Sequence, residues 1–237
     1  MMELYPTGQS LAKQLPTAYA ILQQVKTERE LKSQAYLETK KQDANEQLEF
    51  DWNEVEDIVT GKFGYLSKQD VYIKFFTENP SRDDLGDLTI NPERASGNYI
   101  RITGNDVTFY LNAYKTSRQY GPIKNKLSRE LSAQIKENIR INGLSDGDAL
   151  FGKGKMSDFV SKLVTEAGVR PAGMRGGINV LRRIYVSTKV RAGLSETERF
   201  ELALAMKHTP LATLKYIRQF RDQTDGAAAN NELPKSY

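Results

Sequence analysis

The chain has no cysteine and a single histidine, His208, among 237 residues. Disulfides, a thiolate nucleophile, zinc–cysteine sites and histidine-rich metal sites are therefore closed to it. Such a chain has to be held by burial of apolar surface. Its 39% hydrophobic content, with nine Phe and twelve Tyr, is enough for a core. The length allows one large domain with an appendage, or two small ones. No apolar run approaches the roughly 20 residues that cross a bilayer. Met1 to Ser10 lack the basic and apolar regions of a secretory leader. The expectation is a soluble, intracellular protein without a membrane partner.

Punctuation and periodicity divide the chain into three. Residues 1 to 48 are rich in Gln, Lys, Glu and Ala. Ala18, Ile21, Leu22 and Val25 recur at helical spacing after Pro16, and Lys26 to Gln47 is polar nearly all round. This reads as an amphipathic helix with a charged helical or flexible continuation. A second region, 49 to 222, opens at Asp51-Trp52-Asn53-Glu54-Val55. A helix holding Val71, Ile73, Phe75 and Phe76 is expected to end before Asn79-Pro80. Alternation in Asn98–Ile102 and Val107–Leu111, around Thr103-Gly104-Asn105-Asp106, predicts a β-hairpin. A third short strand is expected at Pro122–Leu127.

The rest of this region reads as helices over Ser128–Ile141, Met156–Ala167, Gly177–Ala192, Ser195–Lys207 and Thr209–Asp222. Ser195-Glu196-Thr197-Glu198 is a capping-box signature. Thr209 as cap and Pro210 in the first turn place Tyr216 about two turns into the last helix. Residues 223 to 237, rich in Ala and Asn, are expected to be loosely ordered. The fold class is α+β, mostly helical, with a small antiparallel sheet and a helical N-terminal segment.

The net charge of +4 hides an asymmetry. Tyr114 to Ser195 carries 16 Lys/Arg against 6 Asp/Glu, a local net of +10, whereas Asp43 to Glu93 carries 4 against 13, a local net of −9. A basic half is the footprint of phosphate-backbone contacts, with a solvated mixed-charge surface as the plain alternative. Gly147 to Gly154 imitates a phosphate-binding loop. The residue after Lys153, however, is Gly154 rather than Ser or Thr, and Asn142 to Asp146 is no buried strand. A basic loop with Lys153 and Lys155 near phosphates fits better than nucleotide hydrolysis.

Five further positions carry a signal through their order. Arg82, in Asn79-Pro80-Ser81-Arg82-Asp83-Asp84-Leu85, follows a buried helix. Lys115, in Tyr114-Lys115-Thr116, follows the second hairpin strand. Arg182 ends Asn179-Val180-Leu181-Arg182 on a helix. His208 and Tyr216, eight residues apart, come last. In this order the chain resembles the catalytic domain of the tyrosine recombinases, the lambda-integrase-like family, over roughly residues 50 to 222. The segment around Arg82 looks like the variant common in members from eukaryotic viruses and mobile elements.

That resemblance implies a chemistry. Breaking a phosphodiester places extra negative charge on a phosphorane-like transition state, and two guanidiniums offer several directed donors to its oxygens. Arg82 and Arg182 would be that clamp, with His208 as a further donor; such donors are typically worth about 10²–10³ each in rate. Tyr216 would attack phosphorus to give a 3′-phosphotyrosine and a free 5′-hydroxyl, and Lys115 would protonate the departing oxygen. Bond energy is kept in the phosphotyrosine, so no cofactor, metal or nucleotide is implied. The implied partners are double-stranded DNA and other copies of the chain, as a homo-oligomeric tetramer on two duplexes. Arg118, Lys124, Lys153, Lys155, Arg175 and Arg183 would contact DNA. The work is site-specific cleavage and rejoining, integration or recombination.

One position departs from the family. Asn179 stands where His or Lys is usual; it can hydrogen-bond a phosphate but accepts no proton at useful pH. Either the base role is weak, or Arg183 on the same face supplies charge. Taken singly, each residue also has an ordinary reading. Arg82 could pair with Asp83, Asp84 or Asp87, and Lys115 could be solvated. Arg182 could snorkel beside the Ile178–Tyr185 stripe. His208 could sit at a helix C-terminus, and Tyr216 could pack in the core with Leu214 and Ile217. The alternative functions are a catalytically silent DNA-binding relative of the same fold and DNA relaxation of the type IB topoisomerase kind.

Overall fold

The computed structural model describes residues 18, 20, 21, 24, 25, 27, 28, 31, 47–80, 88–94, 97–114, 117–152, 154–171, 174, 177–218 and 220. The chain divides into two compact units, Met1–Asp43 and Ala44–Tyr237. In the first, the described residues are helical and exposed, with Ile21 57% and Leu31 60% accessible. Residues 221–237, and with them the expected tail and the end of the last expected helix, lie outside the described residues.

The second unit starts with α1 (Trp52–Phe63), fixed at its head by a capping box. The Asp51 carboxylate accepts from the Glu54 N–H at 3.1 Å, and the Glu54 carboxylate accepts from the Asp51 N–H at 2.7 Å. Trp52, Val55 and Val59, three and four residues apart, form its buried stripe. α2 (Lys68–Glu78) buries Val71, Tyr72, Ile73, Phe75 and Phe76, more than one face, and is an inner helix. It stops at Asn79 because Pro80 has no N–H to continue it. The α1–α2 turn places Leu66 at φ +62, and the buried Asp70 side chain holds it there. Asp70 accepts from the Leu66 N–H at 2.9 Å, from Thr60 Oγ1 at 2.5 Å and from Lys74 Nζ at 3.0 Å.

A four-stranded sheet runs in the order β1 (Thr89–Ile90), β2 (Tyr99–Thr103), β3 (Asp106–Leu111), β4 (Ile123–Lys126). The expected hairpin is β2–β3, and its two-residue turn has Gly104 at φ +58, a conformation open to glycine at no steric cost. Alternation aims Ile100, Val107, Phe109 and Leu111 inward, and Phe109 meets Phe75 edge-on with ring centroids 5.1 Å apart. The sheet is mixed rather than antiparallel, because β1 pairs parallel to β2. Two residues are too few to show alternation, so nothing local in the sequence marks β1 as a strand.

Past β4 the chain is helical: α4 (Arg129–Ile141), α5 (Met156–Glu166), α6 (Gly177–Arg191), α7 (Glu196–Ala205) and α8 (Pro210–Leu214), with a one-turn α3 (Ser117–Tyr120) before β4. α5 and α6 pack at very close range. A Cβ on Gly177 would stand 2.4 Å from the Ser161 N and 2.5 Å from the Val160 carbonyl carbon. Gly177 is thus the residue that admits the crossing. α6 is buried nearly all round, from Ile178 through Ser187. Trp52 joins α1 to it: the Trp52 N–H donates to Thr188 Oγ1 at 2.9 Å, and its ring meets Tyr185 edge-on at 5.0 Å. Tyr185 in turn donates to the Thr77 carbonyl of α2 at 2.9 Å.

Two helix ends differ from expectation. α7 begins at the expected Ser195–Glu198 capping box but ends at Ala205. The His208 N–H reaches the Ala203 carbonyl at 2.9 Å and the Lys207 N–H the Leu204 carbonyl at 2.9 Å, a Schellman closure with Lys207 at φ +57. The final helix, expected over Thr209–Asp222, is only α8. Thr209 caps it as expected, but Tyr216 and Ile217 bond three residues back, to Thr213 and Leu214. Tyr216 therefore sits on a tightened turn just beyond the helix, not two turns inside one.

Candidate functional site

α6 carries Arg182 at 0% exposure, the largest fully buried side chain among the described residues. Burying a guanidinium costs several kcal/mol unless its N–H groups are bonded. Nη2 donates to the Met206 carbonyl at 2.9 Å and Nη1 to the Tyr216 hydroxyl at 3.2 Å. The guanidinium carbon lies 4.8 Å from the Tyr216 ring centroid, within cation–π range. A snorkelling arginine would end in water, so that reading of Arg182 is overturned by its burial.

The Schellman closure after α7 supplies the second group. It turns the chain so that the Met206 carbonyl points at Arg182 while the His208 ring stands against Tyr216, centroids 5.6 Å apart and planes at 86°. The adjacent Lys207 is half-buried, and burial pulls its amine below the ordinary lysine value. The turn after α8 supplies the third group, the half-buried Tyr216. Two of the other expected catalytic residues, Arg182 and His208, thus meet Tyr216 from separate parts of the chain. A fixed positive charge and an imidazole both stand against one phenol.

The remaining expected residues fall elsewhere. Arg82, Lys115, Lys153 and Arg175 lie outside the described residues. Asn179 is exposed in the first turn of α6, with Arg183 half-buried one turn later. Arg118 on α3, Lys124 on β4 and Lys155 at the head of α5 are exposed and form no hydrogen bond or ion pair with the trio. The Lys124 ammonium rests 5.6 Å from the Tyr110 ring centroid, and Tyr110 stacks on Tyr99 at 4.5 Å. The loop that imitates a phosphate-binding motif spends its backbone donors on β1: the N–H groups of Gly147 and Leu150 go to the carbonyls of Ile90 and Leu88.

No family model matches the chain, and no curated protein matches it. The structure is similar to the crystal structure of XerA recombinase, with a TM-score of 0.49 and 11% identity, over 83% of this chain and 67% of that one. Among the described residues no group of three or more His, Cys, Asp or Glu could hold a metal ion, and no helix is long and apolar enough to cross a membrane.

Two residues around Tyr216 are invisible to sequence reasoning. Ser187, 2% exposed on α6, donates to the Tyr216 carbonyl at 3.4 Å and accepts from the Arg218 N–H at 2.8 Å. Arg218, 8% exposed, folds its Nη1 back onto the carbonyls of Lys215 and Ile217 at 2.9 and 2.8 Å. The only signal was proximity, since Ser187 is five residues past Arg182 and Arg218 two past Tyr216; no motif marks either.

Proposed function

We propose that the chain is a tyrosine recombinase that cleaves and rejoins duplex DNA through Tyr216. The observation that carries this reading is the contact of the Tyr216 hydroxyl with the buried Arg182 guanidinium, with His208 against the same ring. A phosphodiester seated there would meet the nucleophile and a fixed cation together. The Tyr216 phenol gives up its proton to solvent water, its oxygen bonds to phosphorus, the bond from phosphorus to the 5′-oxygen breaks, and a 3′-phosphotyrosine is left. Arg182 and Arg82 neutralise the charge that builds on the non-bridging oxygens, and His208 donates to one of them. Lys115 delivers the proton that the 5′-oxygen takes as it leaves. Asn179 hydrogen-bonds phosphate and takes no proton, and Arg183, one turn away, adds charge on that edge. Arg118, Lys124, Lys153, Lys155 and Arg175 hold the backbone on either side, and four copies act on two duplexes.

The test is covalent trapping. Parent protein, Tyr216→Phe and Arg182→Ala are mixed with nicked duplexes that lose a short 5′-hydroxyl fragment after cleavage, and run on denaturing gels. The parent is expected to yield a protein–DNA adduct that Tyr216→Phe does not form and Arg182→Ala forms at least about 10²-fold more slowly. Binding without any adduct from the parent would instead identify a silent DNA-binding relative.

A further inference from the structure

The turn that follows α8 is held by a side chain from another helix. Lys215, Tyr216 and Ile217 each donate three residues back, and the Arg218 N–H, which a continuing helix would send to Leu214, goes instead to Ser187 Oγ at 2.8 Å. The same hydroxyl donates to the Tyr216 carbonyl at 3.4 Å, so one buried oxygen holds the backbone on both sides of the turn. Beyond it, Phe220 bridges in parallel to Leu48, and the Arg191 guanidinium lies 4.8 Å from the Phe220 ring centroid. Ser187, Arg191 and Arg182 all belong to α6. The helix that carries the guanidinium therefore also fixes the backbone that carries the phenol.

We propose that Ser187 is a positioning residue for Tyr216: its buried hydroxyl draws the Arg218 N–H out of the helix and fixes the turn that sets the Tyr216 phenol on Arg182. The inference rests on the reading of Tyr216 as nucleophile. Removing the hydroxyl leaves a buried N–H to find another acceptor, and the one a continuing helix would offer is the Leu214 carbonyl. Taking it extends α8 and turns Tyr216 about the helix axis. A displacement of about 1 Å at a reacting atom can cost about 10² in rate.

The test compares parent, Ser187→Ala and Ser187→Thr by two readouts: the single-turnover rate of adduct formation on the nicked duplex with the affinity for it, and the fluorine NMR signal of 3-fluorotyrosine placed at position 216. Ser187→Ala is expected to slow adduct formation about 10–100-fold with affinity unchanged, and to move or broaden the fluorine signal. Ser187→Thr, which keeps the hydroxyl, restores both. An unchanged fluorine signal in Ser187→Ala overturns the inference whatever the rate, and so does an unchanged rate whatever the signal. A Ser187→Thr protein as slow as Ser187→Ala overturns it as well. A parent that forms no adduct removes the nucleophile reading, while the fluorine signal still decides whether Ser187 holds the ring.

Discussion

At the scale of single residues, the trio is held by unusual local choices. Lys207 takes φ +57, which costs a side-chain-bearing residue about 1–2 kcal/mol relative to glycine. The Schellman closure needs that conformation, and it is this turn that brings the Met206 carbonyl to the buried guanidinium and the His208 ring to Tyr216. Glycine would relieve the strain at some cost in chain entropy. Lys207→Gly is therefore expected to raise stability by about 0.5–1 kcal/mol, seen as a higher urea midpoint with an unchanged slope. A lower midpoint would show that the lysine side chain contributes more than its backbone costs. The grouping of Arg182, His208 and Tyr216 is read from residue type and order, and the structure sets Tyr216 against the other two. Ser187 and Arg218 are not legible in the sequence, because a serine on an apolar helix and an arginine near a chain end resemble many others until the fold brings them 2.8 Å apart.

At the scale of elements, what was legible was what local chemistry writes. The Ser195 capping box starts α7, Pro80 closes off α2, and Gly104 turns the hairpin. What was not legible depends on long-range partners. β1 exists because β2 and the loop around Asp148 accept and supply its hydrogen bonds, and the turn past α8 is bonded to a hydroxyl of α6. The α5–α6 crossing is as sharp a constraint: Gly177→Ala would push a methyl into the Val160–Ser161 backbone. That substitution is expected to cost about 1–3 kcal/mol by overpacking, measured by urea unfolding, and to shift α6 with Arg182 on it. A neutral outcome would mean that the two helices slide apart freely. The α1–α2–α6 junction gives a pH signature. Burial, and next the Glu56 charge, push the Tyr185 phenol up to about 12 from its usual 10.0. The folded state thus favours the neutral phenol, and this contribution to stability is full below about pH 10 and is lost as pH rises through about 12. Melting midpoints across that window are expected to fall more steeply in the parent than in Tyr185→Phe. Parallel curves would contradict the assignment.

At the scale of the whole molecule, charge is unevenly divided along the chain, while its acidic and basic stretches both contribute to the core. Acidic Asp43–Glu93 contributes α1 and α2, which bury much of the aromatic core. The basic stretch Tyr114–Ser195 contributes α6 with its guanidinium and the exposed Arg118, Lys124 and Lys155. In the proposed recombinase the basic stretch would meet a polyanion, and that attraction would be weakened by salt. The central claim is that one oxygen, that of Tyr216, becomes joined to DNA. The measurement that tests it most directly is to trap the parent on a nicked duplex, digest it with trypsin and nuclease, and locate the nucleotide-bearing peptide by mass spectrometry. The account expects a nucleotide 3′-phosphate on the peptide Tyr216-Ile217-Arg218 and on no other. A nucleotide on any other residue, or a chain that binds the duplex and never carries one, would contradict it.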